Sequence, residues 1–122
     1  MADVKQKVWG HNIEIYANTT VSVNILRVEK GGTCSLHTHK TKHNLFYVIS
    51  GELKLSVFPQ DLRVLHAGDE CRVVAGEEHR FQAIQDTVVV EVVFAELDSE
   101  DIHRKIVGYL EPSYNSNLWK RL

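Results

Sequence analysis

The chain has 122 residues, of which 43% are hydrophobic and 25% charged, and its formal net charge is −2. These values are typical of one globular domain, predicted at 1–110 with a short tail at 111–122, and the absence of a basic stripe argues against nucleic-acid binding. No apolar run is long enough for a membrane span, and no basic start precedes one, so we expect a cytoplasmic protein. Cys34 and Cys71 are then expected to be reduced thiols.

Short alternating segments, separated by turns that contain glycine, occupy most of the chain and predict an all-β sandwich or barrel. The turns are "KGG", "SGE", "AGD" and "AGEE". In "ELKLSVF" the apolar residues alternate with polar ones, which indicates a strand with one buried face. The predicted strands are 11–17, 21–29, 34–39, 45–50, 52–58, 63–66, 70–74, 79–84 and 88–96.

The segment "LDSEDIHRKIVGYL" has helical rather than strand periodicity. Asp98 is the predicted N-cap, Ile102 and Ile106 lie on one face, and Gly108 is a stop signal. We expect a short C-terminal helix that packs outside the barrel or on a partner chain.

Three histidines fall within "LHTHKTKH". In the predicted strand 34–39, His37 and His39 share one face, whereas Cys34 has the opposite parity and is expected to pack outside the pocket. His79 begins a later strand, so three imidazoles converge if both strands line one barrel. Three nitrogen ligands suit a divalent transition metal (Fe, Mn, Ni, Cu or Zn), and open coordination positions are typical of catalytic sites.

The spacing of glycines and histidines over residues 31–83 resembles the two motifs of the cupin superfamily. The resemblance implies a double-stranded β-helix (jelly-roll) barrel, which we assign to 1–110 together with the helix. The first motif matches Gly31, His37, His39 and Gly51, and the second matches Gly68, Gly76 and His79, with Val74 in place of Pro and Ala83 in place of Asn.

The metal-binding Glu of the first cupin motif is missing from this sequence. Counting back from Gly51 places Asn44 at its position, whereas counting forward from His39 places His43 there. The first count follows a continuous strand and favours Asn44, but the alternation of the strand does not decide between them. The predicted metal ligands are therefore His37, His39 and His79, with His43 or Asn44 as a fourth neighbour.

The opening "KVWGHNIEIYAN" is similar to the entry strand of cupins in the mannose-6-phosphate isomerase-like group. This resemblance implies a sugar or sugar-phosphate ligand and hence a metal-dependent isomerase or epimerase. We interpret Trp9 itself as a hydrophobic plug at the barrel end. Candidate bases are Glu77, Glu78 and Glu91, although each also fits a solvated or structural role, and Lys40, Lys42 and Arg80 are candidates for binding an anionic group.

Two other functions fit the same residues. Ligation by three or four histidines resembles that of cupin iron dioxygenases, and a barrel that binds a small molecule without catalysis is the third alternative. Apolar stretches such as "TVVVEVVF" also predict a homodimer.

Overall fold

The computed structural model describes residues 2–59 and 61–95, and this part of the chain is all-β, as predicted. The predicted helix and the tail at 111–122 lie outside the described residues. Among the described residues there is no helix long and apolar enough to cross a membrane. The strands are β1 Asp3–Lys7, β2 Gly10–Ala17, β3 Val21–Val28, β4 His43–Ser50, β5 Glu52–Val57, β6 Asp61–His66, β7 Glu70–Val73, β8 His79–Ala83 and β9 Thr87–Phe94.

The strands form two antiparallel sheets that pack face to face as a jelly-roll barrel. The larger sheet has six strands in the order β1-β2-β3-β9-β4-β7, and the smaller has three in the order β6-β5-β8. Neighbours in each sheet are often distant in sequence, because β3 and β4 both pair with β9. This topology brings the middle and the end of the described chain together on one inner face.

The core fills the space between the inner faces of the two sheets. In β4 every second residue is buried, and in β5 the same alternation buries Leu53, Leu55 and Val57, as the sequence predicts. Phe46 and Leu53 have no exposed surface. Cys34 and Cys71 are buried free thiols, and burial raises the pKa of both above the usual thiol value.

Two features of the fold differ from the sequence prediction. β1 was not predicted: all five of its residues are exposed, so its sequence carries no alternation of buried and exposed positions, and it pairs with β2 as the edge of the larger sheet. The predicted strand 34–39 is wrong, since only isolated bridges pair this segment with β8, Thr33 with Gln82 and His37 with His79.

Between these two bridges the register slips by one residue, which is a β-bulge. At the slip the Phe81 N–H donates to the Cys34 Sγ (3.2 Å), and the Cys34 carbonyl accepts instead from the Arg80 Nε (3.0 Å). A one-residue slip reverses the parity of every side chain before it. The sequence-based assignment of faces therefore fails at Cys34, although it holds from His37 onward.

Candidate metal centre

The paired backbones of His37 and His79 bring their imidazoles together. The His37 N–H donates to the His79 carbonyl (3.1 Å) and the His79 N–H to the His37 carbonyl (2.9 Å). Directly opposed residues of an antiparallel pair place their side chains on the same face. The two ring centroids lie 4.3 Å apart.

His39 completes the cluster from two positions further along. Its ring centroid lies 5.3 Å from that of His37 and 5.7 Å from that of His79. The Gly76 N–H donates to the His39 carbonyl (2.8 Å), so the turn before β8 holds this part of the chain in place. One ring nitrogen from each of the three histidines lies within 4.8 Å of the others, close enough for the three side chains to hold a metal ion.

Backbone carbonyls engage Nδ1 in two of the three histidine rings. Nδ1 of His37 lies 2.8 Å from the Ser35 carbonyl, and Nδ1 of His79 lies 3.0 Å from the Glu77 carbonyl. A carbonyl only accepts, so each Nδ1 carries the proton and each Nε2 keeps its lone pair. The His79 Nε2 is buried and has no hydrogen-bond partner among the described residues. A lone pair in that position is suited to a metal ion.

The protein environment favours the neutral imidazoles that metal ligation needs. Burial lowers the pKa of His79, and the neighbouring His37 and His39 lower it further, against the raising effect of the Glu77 carbonyl. Burial likewise lowers the pKa of His39, with added repulsion from His37 and Lys42. Both rings therefore keep their lone pairs available at neutral pH.

A cavity of about 510 Å³ opens beside the histidines. Its walls include His37 and His39 together with apolar and polar residues of the larger sheet. The Trp9 ring is buried against Phe81 in an edge-to-face contact of 5.2 Å and forms part of the apolar wall. A cavity of this volume is in the range of small-molecule sites.

Glu91 is a site residue whose place the sequence analysis did not resolve. It lies at the middle of β9, directly opposite Asn24 of β3 on one side and Phe46 of β4 on the other, and it lines the cavity. The Asn44 Nδ2 donates to the Glu91 Oε2 (3.1 Å). Burial raises the pKa of Glu91, whereas Asn44, His37 and Lys7 act in the opposite direction.

The two candidates for the missing Glu position face opposite ways. Asn44 is 1% exposed and shares the inner face of β4 with Phe46. His43 lies on the outer face, where its Nδ1 accepts from the Ala75 N–H (3.0 Å) and its ring contacts Phe94. Of the two candidates, Asn44 is therefore the one whose side chain lies on the inner side of the barrel.

The remaining candidates lie in other environments. Cys34 lines the cavity, contrary to the prediction, because the register slip turns its side chain inward. The Glu77 side chain caps a turn by accepting from the Val74 N–H (2.9 Å), and Glu78 is exposed. Lys40 is exposed, Lys42 is half-buried near His39, and Arg80 donates to the Cys34 carbonyl from an exposed position on β8.

The fold and the site together define a class of protein: a jelly-roll barrel that carries a cluster of imidazoles beside a cavity. The chain belongs to the cupin domain family, whose sequence model matches residues 24–96. No curated protein sequence matches the chain at a significant level.

Solved structures support the same fold. KdgF from Halomonas sp. is 15% identical, with 78% of this chain and 89% of that chain covered and a TM-score of 0.70. An RmlC-like cupin from Shewanella frigidimarina is 20% identical over 82% of this chain and 87% of that one, also with a TM-score of 0.70. Oxalate decarboxylase from Bacillus subtilis, described with Mn(II) centres, is 18% identical over 78% of this chain and 27% of that one, with a TM-score of 0.67. At these identities the similarity establishes the fold.

Proposed function

We propose that this cupin binds one divalent transition-metal ion on His37, His39 and His79 and acts on a sugar or sugar-phosphate-like molecule as an isomerase or epimerase. The observation that carries the proposal is the buried His79 Nε2, whose lone pair has no partner among the described residues. An ion held by three nitrogens retains open positions and supplies a Lewis acid for a substrate carbonyl. The assignment to the mannose-6-phosphate isomerase-like group remains a prediction.

The cavity beside the histidines suits a small polyhydroxy ligand. Trp9 and Phe81 provide aromatic surface for the apolar face of such a molecule. Asn12 lines the same cavity, and its Oδ1 is buried with no hydrogen-bond partner among the described residues. A ligand hydroxyl would satisfy this acceptor, since an unpaired buried polar atom costs about 1–3 kcal/mol. Lys7 also lines the cavity and suits an anionic group such as a phosphate.

The proposal predicts about one metal ion per chain in untagged protein purified without a chelator, measured by mass spectrometry of the metals. The His37→Ala/His79→Ala variant is expected to lose this metal. His39 is half-buried, so its replacement should disturb the fold less than replacement of His79. His39→Ala should weaken metal binding at least about a hundredfold. Loss of a residue that only orients a ligand already costs about 10- to 100-fold, and loss of a ligand itself costs more.

His66→Ala is the matched control for these variants, since the His66 side chain is 64% exposed and lies outside the cluster. It should retain the full metal content. Circular dichroism checks that each variant is folded. Wild-type protein that stays metal-free after incubation with Mn²⁺, Fe²⁺, Co²⁺, Ni²⁺, Cu²⁺ and Zn²⁺ would refute the metal site.

A second candidate function is oxidation by dioxygen at an iron site. The cluster of possible ligands in the described part of the chain contains three histidines and no carboxylate, which resembles the ligation of cupin dioxygenases. Iron in the purified protein, together with substrate-dependent oxygen consumption, would favour this function. Zinc or manganese in the purified protein, with no oxygen consumption, would favour isomerisation. Binding of a small molecule without turnover would identify a non-catalytic barrel.

We also propose that a second copy of the chain covers the outer face of the larger sheet. Register pairs place apolar side chains side by side across β2, β3, β9 and β4 on the face opposite the core, where Tyr47 is 43% and Ile49 is 49% exposed. The residues on this face include Ile13, Val23, Ile25, Leu45, Tyr47, Val90 and Val92. A contiguous apolar face of this kind is typical of an interface.

Tyr47→Lys is expected to convert a dimer into a monomer, because it buries a charge at the proposed interface. The mass in solution, measured by light scattering after gel filtration, checks this result. Leu62→Lys is the matched control, since Leu62 is 61% exposed on the smaller sheet. A monomeric wild type, or a dimer that Tyr47→Lys leaves intact, would contradict the proposed interface.

A further inference from the structure

Glu91 has the position of a reactive group rather than of a solvated surface charge. It is the only carboxylate among the described residues that line the cavity. It projects from β9 in the larger sheet, whereas His79 belongs to β8 in the smaller sheet and His37 to the segment paired with it. The carboxylate and the imidazole cluster therefore belong to opposite layers, and the cavity is lined by both Glu91 and His37.

Asn44 holds this carboxylate in a defined place. Asn44 lies opposite Val93 and Phe46 lies opposite Glu91, so Asn44 and Glu91 are diagonal neighbours on the inner faces of β4 and β9. At 1% exposure the Asn44 amide has no access to bulk water, and it donates its Nδ2 hydrogen to Glu91. A carboxylate accepts and does not donate, so this contact fixes the orientation of the amide.

The same contact suits an amide rather than an acid at residue 44. A Glu or Asp at residue 44 would place a second carboxylate against Glu91 in a buried environment, and two such charges repel. An amide in that position instead stabilises Glu91 through a hydrogen bond. The carboxylate of the cavity therefore lies on β9 of the larger sheet, outside the histidine cluster.

We propose that Glu91 is the catalytic residue that transfers the proton during isomerisation or epimerisation, and that Asn44 is its positioning residue. This inference rests on the proposed function of the histidine cluster. The ligand class it implies is a small hydroxy-aldehyde or hydroxy-ketone that spans the cavity from the cluster to β9.

The step conserves atoms and electrons without a co-reactant. The Glu91 carboxylate takes a proton from the carbon next to the substrate carbonyl. The electron pair of that C–H bond becomes the second bond between the two carbons, while the π pair of the carbonyl moves onto its oxygen and gives an enediolate. In isomerisation, the protonated Glu91 returns the proton to the neighbouring carbon, while a proton moves from one oxygen to the other. In epimerisation, it returns the proton to the opposite face of the original carbon after the substrate turns in the cavity.

The test uses the full chain loaded with Co²⁺ and glycolohydroxamate, a small planar mimic of an enediolate, as the probe. Glu91→Gln keeps the size of the side chain and removes its charge. We expect Co²⁺ affinity and the visible absorption spectrum of the bound Co²⁺ to be unchanged, because Glu91 lies outside the ligand cluster. Binding of glycolohydroxamate, measured by calorimetry, should weaken at least about tenfold, because a charge-assisted hydrogen bond is lost.

Glu70→Gln is the matched control, since Glu70 is exposed on β7, and it should bind both Co²⁺ and the probe as the wild type does. Asn44→Ala should weaken probe binding by about three- to tenfold, the effect of about one ordinary hydrogen bond, because the amide acts on the probe only through Glu91. The Co²⁺ spectrum should be unchanged. A Glu91→Gln spectrum that differs from the wild type would make Glu91 a metal ligand and overturn its assigned role. A changed spectrum in Asn44→Ala would make Asn44 a ligand rather than a positioning residue.

Two further results would also overturn the inference: equal probe affinity in wild type and Glu91→Gln, or no probe binding to Co²⁺-loaded wild type. Both leave the metal site standing, so they are distinct from failure of the proposed function itself. The proposed function itself fails if the wild-type protein binds no Co²⁺, and this result would also refute the role of Glu91.

Discussion

Phe46→Ala is expected to lower the free energy of unfolding by about 3–5 kcal/mol, which is the usual cost of truncating a buried aromatic side chain. Phe46 has no exposed surface and lies between the two sheets. Its ring centroid is 6.2 Å from that of His79 and 6.2 Å from that of Phe81. A single domain is stable by about 5–15 kcal/mol, so this one change removes a large fraction of the total.

The same substitution should weaken the metal site, because the Phe46 ring is one of the packing contacts that hold the His79 ring in place. A ligand whose support is removed loses orientation, and we expect metal affinity in the folded protein to fall by up to about tenfold. The stability change is measured by urea denaturation followed by tryptophan fluorescence, and metal affinity by competition with a coloured chelator.

Leu62→Ala is the control for Phe46→Ala, since Leu62 is 61% exposed and far less buried than Phe46. Its expected effect on stability is within about 0.5 kcal/mol. If Phe46→Ala costs less than about 1 kcal/mol, the packing of the two sheets around this ring is not as described. If it costs the full amount but leaves metal affinity unchanged, the support of His79 comes from its backbone contacts alone.

Much of the histidine cluster can be predicted from the sequence, because strand parity acts over short distances. His37 and His39 are two residues apart, and the bridge from His37 to His79 keeps all three imidazoles on one face. The burial of Asn44 also agrees with the count along the continuous strand β4. These placements need only local geometry and one correct strand pairing.

Cys34 and Glu91 show where such reasoning fails. The register slip before His37 reverses the face of Cys34, and no feature of the local sequence marks it, because the bulge depends on how the segment pairs with β8. Glu91 shares the inward parity of Val89, which is fully buried. A lone charge inside "TVVVEVVF" was therefore a usable signal, but its proximity to Asn44 depends on the pairing of β9 with β4, which are distant in sequence.

Gly51→Ala is expected to destabilise the protein by about 3 kcal/mol or more, and Gly68→Ala by about 1–2 kcal/mol. The two glycines have almost the same φ, +92° at Gly51 and +90° at Gly68, so an alanine would be strained to a similar extent at either position. Their surroundings differ: a Cβ at Gly68 would meet nothing within 4 Å, whereas one at Gly51 would meet the Asp86 carbonyl oxygen and lie 2.7 Å from the Thr87 Cα. The difference between the two variants therefore measures the cost of the close approach alone.

Hydrogen bonds hold in place the atoms that an Ala at position 51 would displace. Thr87 is 2% exposed, and its hydroxyl lies 2.7 Å from the Gln85 carbonyl and 3.1 Å from the N–H of Glu52, the first residue of β5. Relief of the clash requires this hydrogen-bonded contact to open, which is why we expect the larger loss at Gly51. Thermal and urea unfolding of both variants check the result, and equal losses would contradict the close approach.

The Gly51→Ala variant also tests whether the metal site depends on the overall stability of the barrel. It precedes the start of β5, whereas His79 pairs with Val57 at the other end of that strand. We therefore expect folded Gly51→Ala protein to bind metal with nearly wild-type affinity despite its lower stability. In Phe46→Ala, by contrast, both the stability and the metal affinity should fall. A Gly51→Ala variant that loses metal in proportion to its stability would mean that the cluster depends on the whole barrel rather than on the segment and strand that carry its histidines.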